Sequence, residues 1–260
     1  MERITSRENP LVKEWCSYIK SAQCRHNDGL FCVEGVKMCA EAATFGIEIL
    51  RVFVTDSCLN KYNDQCQKVI LKSKTSFIIS NSVSEKLSDT KTPQGIFALC
   101  KIPENSLNSM GRKRIILDSV SDPGNAGTII RTAEAMGIDE VIFIGTCVDP
   151  YSPKVVRSTM GSIFRQNVIL CPDRVAAINS VKNQGTTVYS SELDSTAQTI
   201  GNSSLKGNVA VVIGNESNGV SQEVSCICDG KIYIPMKGNS ESLNAAVAAS
   251  IIMWEMAKDE

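Results

Sequence analysis

The sequence predicts an α/β protein built in two parts, and three observations carry that prediction. Strand-like apolar runs alternate with helical patterns through roughly the first 100 residues, as they do in one layered α/β domain. A polar stretch at 102–111 then carries proline and glycine and shows no periodicity, as a linker does. The last quarter, 209–256, runs strand, glycine loop, strand, polar loop and Ala-rich helix. In sheets of this kind ligands gather outside the carboxyl ends of the strands. The division expected is a domain at 1–103, a linker at 104–111 and a second domain at 112–260.

In the first part, residues 10–25 read as one helix, with Pro10 in its first turn and Trp15, Tyr18 and Ile19 at helical spacing. Residues 31–35 are a strand ending in a turn, and a helix follows over 36–45 with Gly46 as its cap. Then come a strand at 49–55, a helix at 60–73 and a strand at 76–80; a turn and strand at 92–100 close the set.

In the second part, 115–118 and 141–144 are strands, and the basic run Arg112, Lys113 and Arg114 ahead of the first is expected to be a solvated edge. Residues 118–133 make a strand end, a Pro-Gly turn and a helix start that buries Ile129, Ile130 and Ala133. Arg131, on the first turns of that helix, is near enough to reach into the loop. Lys154 and Arg157 share a helix face at i, i+3. Residues 187–191 form a strand, and 209–213 and 231–236 the last two, where Pro235 ends a ladder for want of an N–H. The final helix is apolar over most of its circumference, so it is buried within one subunit or between two.

Composition bounds the function classes. With 43% hydrophobic and 21% charged residues, this is an ordinary globular chain. Residues 1–10 carry charge and proline where a signal peptide needs an apolar core, and no apolar run approaches the ~18 residues of a membrane span, so a cytoplasmic protein is expected. Eleven cysteines without a CxxC pair and one histidine, His26, leave little for a zinc site, and no metal is expected. The cysteines read as small hydrophobes in a reducing compartment. The lone histidine also argues against a Ser-His-Asp or Cys-His hydrolase. Net charge is −1, but residues 1–103 hold 14 Lys+Arg against 11 Asp+Glu and 104–260 hold 13 against 17, a split of +3 and −4. A nucleic acid would meet its attraction mainly in the first half.

Three stretches, in order, carry more than composition. Asp122-Pro123-Gly124-Asn125-Ala126-Gly127-Thr128-Ile129-Ile130-Arg131 comes first, Gly214-Asn215-Glu216 with Gly219 second, and Ile234-Pro235-Met236 leading to Ser242-Leu243-Asn244 third. Gly124 and Gly127 lack the G-x-G-x-x-G spacing of a dinucleotide site. The 237–243 loop has no large apolar side chain before Leu243, which frees its backbone for a polar ligand. Ser242 and Asn244 stand where the helix needs capping. Together these stretches resemble the motifs of the SpoU/TrmH family of RNA 2′-O-ribose methyltransferases, in the SPOUT class. Residues 152–162 are typical of the same family, whose relatives carry a ribosomal-protein-like RNA-binding domain where this chain has 1–103. The family's usual His before Gln-Gly in the closing turn is Pro93 here.

The resemblance implies a C-terminal SPOUT-type α/β domain with a deep trefoil knot behind a small N-terminal α/β RNA-binding domain. The implied reaction carries a methyl group from S-adenosylmethionine to a ribose 2′-hydroxyl of RNA, with ribosomal RNA favoured over transfer RNA because of the extra domain. A non-catalytic RNA-binding protein is the competing class. The cofactor is expected against Ser190, Gly214, Asn215, Glu216, Ile234, Met236, Ser242, Leu243 and Asn244. Asn125, Arg131, Glu216, Ser242 and Asn244 match catalytic positions, and the family habit implies a homodimer through the C-terminal domain. Arg7 belongs to a common opening pattern, and with Arg25, Arg131, Lys154 and Arg157 it is a candidate for RNA phosphate. Arginine is a poor base, so Arg131 is expected to bind phosphate and stabilise the developing oxyanion.

Overall fold

The computed structural model of the protein describes residues 1–106, 111–201, 205–238 and 242–258. The chain separates into two compact units, Met1–Glu104 with Tyr151–Phe164, and Asn105–Pro150 with Arg165–Glu260. The linker expected at 104–111 lies partly outside the described residues, at 107–110.

The first unit contains β1 (Glu2–Ile4), α1 (Pro10–Lys20), α2 (Ala22–Asp28), β2 (Leu30–Glu34), α3 (Val36–Thr44), β3 (Ile49–Thr55), α4 (Asp56–Lys61), α5 (Asn63–Lys72), β4 (Ser73–Ile79), α6 (Asn81–Leu87) and β5 (Ile96–Lys101). Its five-stranded sheet has the order β1-β4-β3-β5-β2, parallel from β1 through β3, with β5 antiparallel to both neighbours. Asn9 starts α1 by accepting the Leu11 N–H at 2.9 Å, and Pro10 fits the first turn, where its missing N–H costs nothing. The buried face of α1, Val12, Trp15 and Tyr18, seats Trp15 edge-on against Phe53 and Phe97 at 5.9 and 5.8 Å. The indole N–H donates to the Leu87 carbonyl at 2.8 Å, which satisfies the one polar atom this core ring carries.

Local breaks divide two of the expected helices. Ser21, extended at φ −122°, ends α1 and caps α2 by accepting the Cys24 N–H at 3.2 Å, so 10–25 is not one helix. Tyr62, at φ −128°, likewise separates α4 from α5 within 60–73. β1 and α6 are elements the sequence reading did not anticipate. Residues 151–164 belong to this unit and not to a contiguous second domain, because Tyr151 and Phe164 flank the buried Phe31 ring at 5.1 and 6.4 Å. They include α8 (Pro153–Ser158).

The second unit contains β6 (Lys113–Asp118), α7 (Pro123–Ala135), β7 (Glu140–Ile144), β8 (Asn167–Cys171), α9 (Arg174–Asn183), β9 (Thr187–Ser191), β10 (Gln198–Thr199), β11 (Val209–Ile213), α10 (Gln222–Ser225), β12 (Gly230–Tyr233) and α11 (Ala245–Ala257). The sheet is parallel throughout, in the order β10-β12-β9-β11-β6-β7-β8. All five residues of β11 are buried between β9 and β6, as a central parallel strand covered on both faces requires. Ile116, Ile142, Val188, Ala210 and Val212 pack with Ala177, Ile178 and Val181 of α9. The alternate residues of the same strands face the other side, where α7 and α11 pack together and α11 lies on β6 and β11.

The basic run at 112–114 is not a solvated edge. Arg114 is buried and donates from Nε to Glu140 at 2.6 Å, with Thr186, Asn208 and Gln184 taking three more of its N–H groups at 2.6, 3.1 and 2.6 Å. Four partners make this charge tolerable inside the sheet. Glu140→Ala would leave the guanidinium buried without its carboxylate, and should destabilise the unit by about 3–5 kcal/mol. Urea denaturation measures this; an unchanged midpoint would contradict it.

Candidate functional site

The site begins at the carboxyl end of β6. Asp118 is buried and accepts from Arg174 Nε and from the Ser221 N–H, both at 2.8 Å. Ser119 follows at φ +58°, a left-handed conformation rare for a residue with a Cβ, and its hydroxyl accepts from Arg174 Nη2 at 2.7 Å. Asp122 caps α7 by accepting the Asn125 N–H at 2.7 Å, which presents Asn125 on the first turn of the helix.

The loop after β11 closes on itself and on this corner. Asn215 and Gly219 exchange both backbone hydrogen bonds at 2.9 Å, and Asn215 Oδ1 accepts from the N–H groups of Ser217 and Asn218 at 3.0 and 3.2 Å. Its Nδ2 donates to the Ser119 carbonyl at 2.8 Å. Gly214 must be glycine here, since a Cβ would overlap the carbonyl carbon of Gly219 and the nitrogen of Val220. The turn aims Glu216 at the start of α7. One of its oxygens accepts from Asn125 Nδ2 at 2.9 Å and the Asp122 N–H at 3.2 Å, the other from the N–H and hydroxyl of Ser121 at 3.3 and 3.2 Å.

Asn125 passes the contact on. Its Oδ1 accepts from Asn244 Nδ2 at 2.9 Å, and Asn244 Oδ1 caps α11 by accepting the N–H groups of Ala246 and Val247 at 2.9 and 3.3 Å. Glu216, Asn125 and Asn244 thus form one relay joining all three motifs. Each amide has one end fixed by a group of known polarity, so both orientations are determined.

The electrostatics fix the protonation states. Partial burial pushes the Glu216 carboxyl up, but the Asn125 amide and the loop's N–H groups outweigh it, leaving Glu216 below the usual carboxylate value. Burial likewise pushes Asp118 up, and Arg174 with the Ser221 hydrogen bonds brings it below the ordinary range. Both are anions at neutral pH, so Glu216 serves as a hydrogen-bond acceptor and is a poor general base.

Beside the relay, at the carboxyl ends of β9, β11 and β12, lies a cavity of about 480 Å³, within the ~300–1,000 Å³ span of small-molecule sites. Gly214, Asn215, Glu216, Ile234, Met236, Ser242 and Leu243 line it, whereas Ser190 and Asn244 do not. Ser190 is fully buried beneath the rim, and Asn244 is occupied with Asn125 and the helix cap. The loop between Met236 and Ser242 includes 239–241, which lie outside the described residues. Sequence reasoning missed Glu192 and Leu193 on one wall and Ala248 and Ile252 of α11 on the other. The i, i+4 spacing of that last pair was the available signal.

The proposed phosphate ligands fall apart into groups. Arg7 and Lys154 are exposed. Arg25 is buried, with its guanidinium donating to the Tyr18 and Ile19 carbonyls, and is a structural residue. Arg157 shares α8 with Lys154 but is half-buried and ion-paired with Asp89 at 2.8 Å, so its charge is already answered. Arg131 is exposed on α7, has no ion-pair partner among the described residues, and is not among the residues that line the cavity. Among the described residues no group of three or more His, Cys, Asp or Glu side chains could hold a metal, and all eleven cysteines are free thiols.

Known proteins match along nearly the whole chain. The model of the SpoU rRNA Methylase family matches residues 112–254, and the MRM3-like substrate binding domain matches residues 9–98. The 23S rRNA (guanosine(2553)-2′-O)-methyltransferase RlmP of Bacillus subtilis is 31% identical over 258 residues, covering 98% of this chain and 99% of that protein. The 23S rRNA (uridine(2479)-2′-O)-methyltransferase of Streptomyces viridochromogenes is 28% identical over 273 residues, covering 97% and 91%. The AdoMet-bound rRNA methyltransferase of Sinorhizobium meliloti superposes with a TM-score of 0.88 at 26% identity, over 99% of this chain and 97% of that one.

Asp118 holds the corner on which the relay is mounted, and its titration should be visible. Its folded-state value is the lower one, so its contribution to stability is complete above the unfolded value of about 3.9 and is lost as pH falls through the folded value. Asp118→Asn should be less stable than the wild type at neutral pH, with the gap closing in acid below roughly pH 4. Denaturation at several pH values measures the gap; a constant gap would contradict the assignment.

Proposed function

The chain belongs to the SpoU rRNA methylase family, and on that footing we propose that it transfers a methyl group from S-adenosylmethionine to a ribose 2′-hydroxyl of ribosomal RNA. The relay of Glu216, Asn125 and Asn244 beside a nucleoside-sized cavity is the observation that carries this reading. A scaffold that only bound RNA would have no use for a charged, fully oriented polar chain next to that cavity. In this reading residues 1–103 hold the substrate, 104–111 connect, and 112–260 carry out the transfer in the cytoplasm. The trefoil knot implied by the family resemblance belongs to the same proposal.

The cavity suits the cofactor on two grounds. Ile213, Ile252 and Leu243 supply apolar contact for a purine, while the loops at 214–219 and 234–236 supply backbone polar groups. Gly214, Asn215, Ile234, Met236, Ser242 and Leu243 would hold it. When bound there, it would supply the methyl group as a sulfonium, with a thioether as the leaving group as the oxygen–carbon bond forms. The chain's own task is orientation: Asn125 and Asn244, with both amides fixed, position the ribose, and Glu216 fixes Asn125. The hydroxyl proton leaves as the oxygen attacks, passing by way of a phosphate oxygen of the RNA to solvent, while Glu216, whose two oxygens already accept four hydrogen bonds, stays an acceptor that fixes Asn125.

Arg131 completes the site from a second copy of the chain. It projects from α7, and α11 beside it exposes Val247 and Trp254, at 47% and 59%, with the half-buried Ile251 between them. That apolar stripe next to an unanswered cation supports a homodimer through these two helices, in which each Arg131 reaches its partner's site. Light scattering at micromolar concentration should give the dimer mass.

Two measurements test the reading. Tritiated methyl from S-adenosylmethionine should enter protein-free large-subunit rRNA from cells lacking the protein, at a ribose 2′-oxygen. Transfer to tRNA alone would move the target, and cofactor binding without transfer to any RNA would refute the enzyme. Arg131→Ala should lower the rate by roughly two to three orders of magnitude, as loss of an oxyanion-stabilising donor does, and leave cofactor affinity nearly unchanged. Arg131→Lys should rescue poorly, because a point charge lacks the planar fork. Mixing Arg131→Ala chains with Asn244→Ala chains should restore activity if the site is shared.

A further inference from the structure

A second cavity, of about 360 Å³, lies in the first unit between α3 and the junction of α4 with α5. Tyr62 lines it from the break between those helices, half-buried and without a hydrogen-bond partner for its hydroxyl among the described residues. The Lys61 ammonium stands over the Tyr62 ring, 5.2 Å from its centre, a cation–π contact that takes up one face of the ring. Lys37 and Gln65 line the same cleft, exposed and unpaired among the described residues. Gln94 forms its far wall with Oε1 accepting the Val36 N–H at 2.8 Å, which leaves the amide N–H groups turned outward.

Several cations of this unit are already answered. Arg3, Lys13, Arg51, Lys74 and Lys101 of the same unit are each ion-paired with a carboxylate. Lys37 and Lys61, like Lys20, Lys68, Lys72, Lys86 and Lys91, have no ion-pair partner among the described residues; Lys37 lines the cleft with the Glu41 carboxylate, the ring and the two amides, and Lys61 stands over the ring from outside the lining. A π-face, amide donors able to read a base edge and unanswered cations able to meet phosphate are what an unstacked nucleobase requires. A duplex would offer no free base to this cleft, and an apolar peptide would have no use for the cations. We propose that the cleft captures a single unpaired nucleobase of the RNA substrate, stacked on Tyr62, edged by Gln65 and Gln94, and flanked by phosphates on Lys37 and Lys61. This rests on the methyltransferase reading for the identity of the RNA and assigns the first unit's contact with it.

The test uses the full chain and protein-free large-subunit rRNA, with affinity measured by filter binding over a range of salt and cofactor affinity by calorimetry. Tyr62→Ala should weaken RNA binding by about tenfold or more, the usual cost of losing one base–aromatic stack, while Tyr62→Phe should retain it. Lys37→Glu, at an exposed position, should weaken binding and reduce the slope of log affinity against log salt by about one. Cofactor binding should be unchanged in all three. RNA carrying 4-thiouridine should cross-link to the peptide holding Tyr62. Unchanged RNA affinity in Tyr62→Ala and in Lys37→Glu, or cross-links confined to other peptides, overturns the cleft and leaves methyl transfer standing. If Tyr62→Ala fails to fold, Lys37→Glu decides alone by its salt slope. A wild-type chain that neither binds nor methylates this RNA overturns the methyltransferase reading, and the cleft with it.

Discussion

The Glu216 carboxylate is the constraint on which the site depends. It holds Asn125 from 91 residues away, and Asn125 in turn holds Asn244 from 119 residues away. Three loops this far apart in sequence have no local reason to meet, and ordering them costs conformational entropy. The carboxylate offsets that cost by accepting four hydrogen bonds from the corner that starts α7. Charge-assisted bonds of this kind are about twice as strong as neutral ones, and their directions leave each amide one orientation. Asn244 then caps α11, so the polar contact that arranges the site also starts the helix that walls the cavity.

The sheet explains why these loops converge where they do. With every strand of the second unit parallel, the loops leaving β6, β9, β11 and β12 all emerge at one edge. β11 lies at the centre with β6 and β9 as neighbours, which brings the Glu216 loop beside the Asp122 corner on one side and the 191–193 wall on the other. Gly214 permits the tight return that the Glu216 turn needs. The ion pair of Arg114 and Glu140 ties β6 to β7 at the opposite end of these strands.

Much of this was legible in the sequence, for physical reasons that differ by element. Strands 49–55, 187–191 and 209–213 match the expected bounds because each is a short apolar or β-branched run between turn residues. The three motifs stood out because glycine, asparagine and proline cluster where backbones turn tightly. Other features were set by contacts no window contains. Ser21 reads as a helical residue until its side chain is seen capping the next turn. Residues 151–164 join the first unit through Phe31, and Arg114 is buried because Glu140 lies on the adjacent strand. The buried Arg25 and the ion-paired Arg157 show the same limit: sequence gives a charge, and only the fold tells whether it is already answered.

Glu216 is an anion whose oxygens are taken up by hydrogen bonds, so the part proposed for it is to fix Asn125, and the two residues should act as one unit. Residues that act as a unit give non-additive losses when removed together. The most direct measurement is therefore a double-mutant cycle on methyl transfer to rRNA, comparing Asn125→Ala, Glu216→Gln and the double variant at saturating S-adenosylmethionine. The relay predicts that each single change lowers turnover strongly and that the second adds little to the first. Losses that multiply, or near wild-type turnover in either single variant, would contradict it.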